Sequence, residues 1–288
     1  MPNNFLPDKF VSLLKLARFH SPTGYLLSFF PASFGLLLAY EETSNLIYLP
    51  LFFVGSMLTR SAGCIINDLI DRDLDKKVVR TKNRPIASGA ITILEALIFL
   101  AILLSMCLTI LLSLTKTSII IGVIAFFLIL LYPLMKRITY FPQAFLGITF
   151  NTGCLIGYAA IKDDISLNAV LMYIACGFWT IGYDTIYGFM DIKDDKKIGI
   201  KSTAIFFEHS NVKFVIATFY LLFLGFFTLA IRDFLSIYYF FMMLISIVIV
   251  VWIIIFLDIN DPKNCLVRFK SNNYLGFLLF LFMLLEKL

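Results

Sequence analysis

The sequence predicts an all-α polytopic membrane protein, a bundle of about nine transmembrane helices. Three observations support this fold class. Hydrophobic residues make up 60% of the 288 residues and charged residues 15%, with a mean hydropathy of +0.91, outside the range of soluble globular domains. Apolar runs of roughly 20 residues, enough to cross a bilayer, recur along the chain. The basic residues gather on one side of these runs.

The whole chain, residues 1–288, is expected to form one membrane domain. Its apolar runs cover roughly residues 22–40, 46–67, 92–114, 117–135, 142–161, 165–190, 212–231, 235–257 and 272–286. An odd number of spans places the two termini on opposite sides of the membrane.

The basic residues predict the orientation. All 24 Lys and Arg residues except Lys116, Lys162, Arg232 and Lys287 fall on the side of the N-terminus, and such residues stay on the cytoplasmic side. The N-terminus and the acidic motifs described below should therefore be cytoplasmic. The start shows neither a cleavable signal peptide nor an Arg-rich and Ser-rich presequence, which favours a bacterial inner membrane over a mitochondrial one.

Residues 1–21 are expected to form an amphipathic cytoplasmic lead-in. Within residues 5–18, apolar side chains recur at helical spacing between Lys9, Lys15 and Arg18, as in a helix lying on an anionic leaflet. A disordered lead-in to the first span is the alternative.

Cysteine and histidine chemistry is not indicated. The cysteines are Cys64, Cys107, Cys154, Cys176 and Cys265. They show neither CxxC spacing nor a disulfide framework, so packing roles are expected. His20 and His209 lie far apart without a partner motif, which argues against zinc and haem sites.

A first acidic motif ends the second apolar run. On a continuous helix one stripe would hold Arg60, Cys64, Asn67, Asp68, Asp71 and Asp75. Asp73 would point away. Carboxylates on one stripe repel each other unless a cation lies among them, and all-oxygen donors suit Mg²⁺.

Two basic features accompany this motif. Arg60 lies about two turns inside the membrane, where a cation is costly; it is predicted to bind an anion or orient the acidic cluster, the alternative being a structural salt bridge or a snorkelling side chain. Arg80 and Arg84, in the loop after the motif, can bind a phosphorylated group bidentately. Membrane topology alone also explains the charge of this loop.

A second acidic motif ends the sixth apolar run. If the helix continues, one face carries Asp184, Tyr187, Asp191, Asp194 and Asp195. Lys193 faces away, and a basic loop with Lys196, Lys197 and Lys201 follows. Two such motifs on one side of a membrane can together hold Mg²⁺ ions that bridge a diphosphate, with the basic loops neutralising the remaining charge. This arrangement suits cleavage of a carbon–oxygen bond to diphosphate.

The sequence resembles the UbiA-type membrane prenyltransferases, whose signatures NDxxDxxxD and DxxYxxxDxxDD are both complete here. The segments most similar to 4-hydroxybenzoate polyprenyltransferases are RSAGCIINDLIDRDLD, RTKNRPIASG, YPLMKRITYFPQ, YDTIYGFMDIKDDKKIGIKST and NNYLG. Gly188 departs from the alanine that is frequent in the family. The resemblance implies nine helices with a lateral opening for the polyprenyl chain and an active site under a cytoplasmic cap. It also implies a Mg²⁺ cofactor, polyprenyl diphosphate as donor and 4-hydroxybenzoate as acceptor.

The resemblance also implies roles for the motif residues. The metal ligands would be Asp68, Asp71, Asp75, Asp184, Asp191 and Asp195. The catalytic residues would be Asp71, Arg72, Arg137, Tyr187 and Asp191, with Asp191 either a ligand of the metal–diphosphate or the base that polarises the phenol. The substrate-binding residues would be Arg60, Asn67, Arg80, Arg84, Lys136 and Lys197. Arg72, Lys136 and Arg137 are candidates for contact with diphosphate or with the acceptor carboxylate, and Tyr187 for orientation or cation stabilisation.

Three alternatives remain at this point. The first is prenylation of a naphthoate, haem, homogentisate or chlorophyll precursor by the same chemistry. The second, a CDP-alcohol phosphotransferase, lacks its DGxxAR start here. The third is an ion-coupled transporter, which requires charges near the bilayer midplane, a depth that only Arg60 approaches. No nucleic-acid partner is expected, and the oligomeric state is open.

Overall fold

The computed structural model describes residues 8–234 and 236–287. These residues form helices and connecting loops and no strand. The α-helices are α1 (Asp8–Leu16), α2 (Pro22–Ala39), α3 (Tyr48–Ile70), α4 (Arg72–Asp75), α5 (Ile93–Leu112), α6 (Lys116–Ile138), α7 (Pro142–Phe150), α8 (Thr152–Lys162), α9 (Leu167–Gly188), α10 (Ile192–Ile198), α11 (Thr203–Phe207), α12 (Val212–Ala230), α13 (Ile237–Ile255) and α14 (Pro262–Leu285). Two short 3₁₀ helices cover Thr43–Ile47 and Arg232–Phe234.

The protein is a multi-pass membrane protein. Eight helical segments of the described chain are long and apolar enough to cross a bilayer. They are Pro22–Ala39, Thr43–Ile70, Ile93–Leu112, Lys116–Ile138, Pro142–Lys162, Leu167–Gly188, Val212–Ala230 and Ile237–Ile255. The ninth predicted span is the C-terminal part of α14, whose first half carries Lys263, Arg268 and Lys270. A count of nine spans therefore stays a prediction.

Polar residues at the loop ends fix where several helices begin. At the start of α5, the Thr92 hydroxyl accepts a hydrogen bond from the backbone N–H of Glu95, and the Glu95 carboxylate accepts one from the backbone N–H of Thr92. Ser166 and Asn211 cap the starts of α9 and α12, where each side chain accepts one hydrogen bond from a backbone N–H. Such caps satisfy N–H groups that have no partner inside the helix.

Helix α2 lies at the centre of the bundle and packs against α3, α8, α9 and α14. Its close approach to α8 depends on small residues. A Cβ atom at Gly35 would overlap the backbone carbonyl of Cys154, and one at Gly157 would overlap the carbonyl of Ala32. Glycine at these positions allows two membrane helices to approach closely.

A buried polar junction joins α9, α12 and α14. The Oδ1 atom of Asn272 accepts hydrogen bonds from Trp179 Nε1 and from the Tyr220 hydroxyl, both at 2.8 Å. All three side chains are fully buried. Because an unpaired polar group in an apolar interior is costly, this shared acceptor fixes the relative positions of the three helices.

The N-terminal lead-in packs on the bundle. Residues 1–7 of this predicted segment lie outside the described residues, and α1 covers most of the remainder. Leu16 is fully buried in a cluster with Leu58 and Ile65 of α3, which also includes Ile86 and Ile91 of the basic loop. The lead-in and the basic loop therefore meet at the same end of α3. A position of α1 on the membrane surface stays a prediction.

Candidate functional site

Both acidic motifs line a single cavity of about 510 Å³. Among the predicted site residues, those lining it are Arg60, Asn67, Asp68, Asp75, Arg80, Arg84, Lys136, Asp184, Tyr187, Asp191 and Asp195. Asp71, Arg72, Arg137 and Lys197 do not line it. Two segments 116 residues apart in the chain, as measured from Asp68 to Asp184, are thus brought to one site.

The first motif is not one continuous stripe, because the helix breaks at Asp71. Helix α3 ends at Ile70, Asp71 has φ −95° and ψ 5°, and α4 starts after it. Asp68 and Asp75 converge on one guanidinium: Arg84 Nη1 lies 3.0 Å from Asp68 Oδ1 and 2.9 Å from Asp75 Oδ2.

Asp71 faces α6 instead. Its buried carboxylate forms ion pairs with Lys136 and with Arg137, the latter at 3.4 Å. The prediction that Asp71 shares a face with Asp68 and Asp75 is therefore corrected by the break in the helix. In this structure Asp71 connects the end of α3 to α6, and it holds Lys136 beside the cavity.

Arg72 and Lys197 lie at the periphery. Both are exposed, and Lys197 Nζ lies 3.7 Å from Asp194. Neither is brought together with the carboxylates that line the cavity.

Arg18 belongs to the site, although the sequence indicated only a place in the amphipathic lead-in. Its Nη2 atom lies 3.0 and 2.8 Å from the two oxygens of Asp68. The backbone of Arg18 is left-handed, with φ 59°, and the Ser61 hydroxyl holds the preceding residue through the Ala17 carbonyl at 2.9 Å. The available signal was an arginine between an amphipathic helix and Pro22, where the chain must turn into the first span.

The second motif also contains a break. Helix α9 ends at Gly188, and Asp191 precedes α10. Arg80 Nε lies 2.9 Å from each oxygen of Asp191, and Arg80 Nη1 lies 3.0 Å from the Tyr187 hydroxyl. The guanidinium carbon is 5.4 Å from the centre of the Tyr187 ring. Arg80 thus joins the loop after the first motif to the second motif on both sides of its break.

Outside the membrane-spanning segments, two carboxyl groups of the cavity have raised pKa values. Burial raises the pKa of Asp195 to about 6, and the Asp191 charge acts in the same direction against Lys136 and Arg80. Burial also raises the pKa of Asp75, as does Asp68, while Arg84 opposes the shift. Desolvation and like charge both disfavour an ionised carboxylate, so both groups favour a cation in the cavity.

Arg60 lines the cavity and, among the described residues, forms no ion pair within 4 Å, although Asp184 lies close enough to attract it electrostatically. Its guanidinium lies over the ring of Phe150, 5.4 Å from the centroid. A Cβ at Gly24 would lie 2.7 Å from Arg60 Nε, so the backbone of α2 encloses the side chain. The salt bridge considered from the sequence is not formed as a direct contact in the described chain, so an anion in the cavity would bind Arg60 in competition with the nearby Asp184 carboxylate.

The oxygen donors of the cavity are the ligand type that a hard divalent ion prefers. They do not form a preformed metal site among the described residues. In residues 8–234 and 236–287, no three His, Cys, Asp or Glu side chains converge as a metal-binding group. Mg²⁺ is commonly held by one or two carboxylates together with substrate phosphates. Two separate acidic sets on one cavity fit that mode of binding.

The chain is similar to several named proteins. It is 40% identical over 282 residues to the mitochondrial 4-hydroxybenzoate polyprenyltransferase of Arabidopsis thaliana, covering 96% of this chain and 69% of the relative. It is 39% identical to the protein of the same name from Homo sapiens, covering 96% and 75%.

Solved structures share the fold. The apo structure of a UbiA homolog from Aeropyrum pernix K1 has a TM-score of 0.77 at 21% identity and covers 93% of this chain and 98% of its own. A UbiA homolog from Archaeoglobus fulgidus bound to GPP and Mg²⁺ has a TM-score of 0.70 at 18% identity, covering 92% and 98%. The profile of the UbiA prenyltransferase family matches residues 28–283. The chain belongs to the UbiA prenyltransferase family.

Proposed function

We propose that the protein transfers a polyprenyl group from polyprenyl diphosphate to the ring carbon ortho to the hydroxyl of 4-hydroxybenzoate, with release of diphosphate, as a step of ubiquinone biosynthesis. The observation that carries this proposal is the meeting of both aspartate motifs on one cavity, in a chain that is 40% identical to a named 4-hydroxybenzoate polyprenyltransferase. The donor is amphiphilic, and the bilayer is where its tail would reside.

The divalent ion proposed is Mg²⁺, in keeping with the relative solved with GPP and Mg²⁺. Asp68 and Asp75 from the first motif, and Asp191 and Asp195 from the second, are its proposed ligands, with Asn67 and Asp184 beside them. Bound there, Mg²⁺ would neutralise charge on the departing diphosphate. Mg²⁺ is typically bound by one or two protein carboxylates together with phosphate oxygens of the substrate.

The arginines are proposed to exchange partners when the donor binds. Arg18, Arg80 and Arg84 bind the motif carboxylates in the structure. A guanidinium matches phosphate oxygens as well as it matches a carboxylate. Release of these carboxylates to the metal would leave the guanidinium groups directed at the diphosphate oxygens.

The reaction requires one bond to break and one to form. The bond between the first prenyl carbon and the diphosphate oxygen breaks, and its electron pair leaves with diphosphate. The ring carbon ortho to the hydroxyl forms the new carbon–carbon bond and then loses its proton. Asp191 is a candidate acceptor of a proton, because it lines the cavity and shares the Arg80 guanidinium with Tyr187. Either proposed role, as a base or as a metal ligand, requires Asp191 to lie close to the reacting groups.

Arg60 is proposed to bind the carboxylate of the acceptor. It is the cavity arginine that forms no direct ion pair in the described chain, and it lies deeper in α3 than the motif. An anion held there would present its ring towards the motif residues at the end of the same helix.

The proposal places the cavity on the cytoplasmic side, because the loops around it carry most of the basic residues. The relatives named above are mitochondrial, so a bacterial inner membrane stays a prediction. The deciding experiment incubates membranes containing the protein with a polyprenyl diphosphate, Mg²⁺ and one of several aromatic acceptors. A prenylated 4-hydroxybenzoate, identified by mass, supports the proposal; selective prenylation of another acceptor, or none, overturns it.

A further inference from the structure

Three aliphatic residues separate the catalytic cavity from a second depression. Leu74, Ile198 and Ile200 line both the 510 Å³ cavity and an outer depression of about 410 Å³. The outer depression is otherwise lined by Ile70, Asp73, Arg137 and Gly199. The three shared side chains therefore form a partition, which we name the aliphatic wall.

The two sides of the aliphatic wall belong to different segments. Leu74 lies on α4, just after the break in the first motif. Ile198 is the last residue of α10, which follows the break in the second motif. Gly199 has φ 74° and ψ 22°, a left-handed conformation that L-residues with a side chain rarely adopt, and it allows the chain to reverse so that the isoleucines on either side both reach the wall.

Hydrogen bonds hold the isoleucine side of the wall to its own segment and to α6. Lys201 N donates to the Lys136 carbonyl at 2.8 Å, and Ile200 N donates to the Asp195 carbonyl at 3.0 Å, so the isoleucine side is attached to α6 and α10. In the described chain no hydrogen bond joins residues 198–200 to α4. The two sides can therefore separate without breaking a hydrogen bond between them.

The outer depression opens to water beside Arg137, whose Nη2 atom lies 3.4 Å from the buried Asp71 carboxylate. The side chain of Arg137 is 47% exposed there, and the charge of Asp73 is balanced by Lys76 at 3.0 Å. The proposed donor is a lipid, whereas an aromatic carboxylic acid dissolves in water and needs an aqueous route. A reactive allylic cation also requires that water be excluded once both substrates are bound.

We infer that the aliphatic wall formed by Leu74, Ile198 and Ile200 is the gate through which the aromatic acid passes from water into the catalytic cavity, and that it closes again during transfer. This inference rests on the proposed function. It separates the route of the acceptor from that of the prenyl donor, and it assigns the exclusion of water on the cytoplasmic side to these three side chains.

The test compares substitutions that narrow or open the gate. Ile198→Trp should lower kcat/KM for 4-hydroxybenzoate about tenfold, the effect of crowding a close-packed contact, while kcat/KM for polyprenyl diphosphate stays within about twofold. Leu74→Ala should raise the fraction of polyprenyl diphosphate that is hydrolysed without prenylation. Val79→Trp is the matched control, because Val79 is 71% exposed in the same region and lines neither space.

The outcomes are distinct. A loss confined to the acceptor in Ile198→Trp, with increased hydrolysis in Leu74→Ala, supports the gate. Donor and acceptor parameters that fall together, or hydrolysis by Leu74→Ala at the wild-type level, would overturn it. The donor parameter serves as an internal check of folding. The wild-type protein is assayed before the variants. If it prenylates no 4-hydroxybenzoate, the proposed function is wrong, and this result is distinct from a failure of the gate.

Discussion

The guanidinium of Arg80 binds the carboxylate of Asp191, 111 residues further along the chain, with Nε 2.9 Å from each carboxylate oxygen. This ion pair connects the loop behind the first acidic motif to the break in the second. The second motif is therefore attached to the loop that follows the first, and not only through the helices that carry the two motifs.

The first prediction concerns this pair. Arg80→Ala should lower kcat/KM for prenyl transfer by about a hundredfold, because it leaves Asp191 without its partner and removes a proposed phosphate ligand. Arg80→Lys should lose less, since lysine keeps the charge but not the bidentate geometry. Steady-state assays in membranes measure both. Lys82→Ala in the same loop is the control; equal activity in Arg80→Ala and Lys82→Ala would contradict the role of Arg80.

The second prediction concerns the acceptor. Arg60→Gln should raise KM for 4-hydroxybenzoate by about thirtyfold, the effect of losing a charge-assisted contact of roughly 2 kcal/mol, and leave KM for the donor within about twofold. Lys116→Gln, a cation on the opposite side of the membrane, should change neither value. A rise in the donor KM alone would assign Arg60 to the diphosphate.

The third prediction concerns pH. Burial, and then the Asp191 charge, raise the pKa of Asp195 to about 6 without a bound metal, and only the deprotonated carboxylate is a ligand. Metal affinity should therefore rise with pH across this value, by about fourfold from pH 5.5 to 7.5 for a single such group. Calorimetric titration with Mg²⁺ in the presence of a polyprenyl diphosphate measures it, and comparison with Asp195→Asn removes the titration of the diphosphate itself. Asp195→Asn should bind more weakly and lose this contribution; an unchanged pH dependence in that variant would contradict the assignment.

The fourth prediction concerns the bundle. Gly35→Ala should destabilise the fold by about 1–3 kcal/mol, because the new methyl group overlaps the Cys154 carbonyl of α8. Gly225→Ala is the matched control in α12, where a Cβ would have no neighbour within 4 Å, and it should stabilise the helix by roughly 0.5–1 kcal/mol. Thermal unfolding in detergent distinguishes them. Similar midpoints would show that α2 and α8 do not need the close approach.

The fold class and most of the aspartates that line the cavity were predictable from the sequence, because both depend on local patterns. Apolar runs of membrane length predict helices whatever their neighbours are. The spacing of Asp68 and Asp75, and of Asp184 and Asp191, placed each pair near one helix end. That the two motifs share a cavity was also expected, since two acidic sets on one side of a membrane suggest a common ligand.

Helix breaks and long-range pairs were not predictable in the same way. The stripe that joined Asp71 to Asp68 assumed a continuous helix, and the break at Asp71 turns its carboxylate to Lys136. Arg18 is brought to Asp68 by a left-handed turn, and no local spacing encodes the contact between them. Tertiary contacts decide such positions.

The central claim is that the two acidic motifs form one Mg²⁺-dependent prenyl transfer site. Its most direct measurement is the formation of prenylated 4-hydroxybenzoate, with and without Mg²⁺, by the wild-type protein and by Asp68→Asn and Asp191→Asn at equal expression. We predict product from the wild-type protein only with Mg²⁺, and a loss of about a hundredfold or more in each variant. Full Mg²⁺-dependent activity in either variant would contradict the shared site.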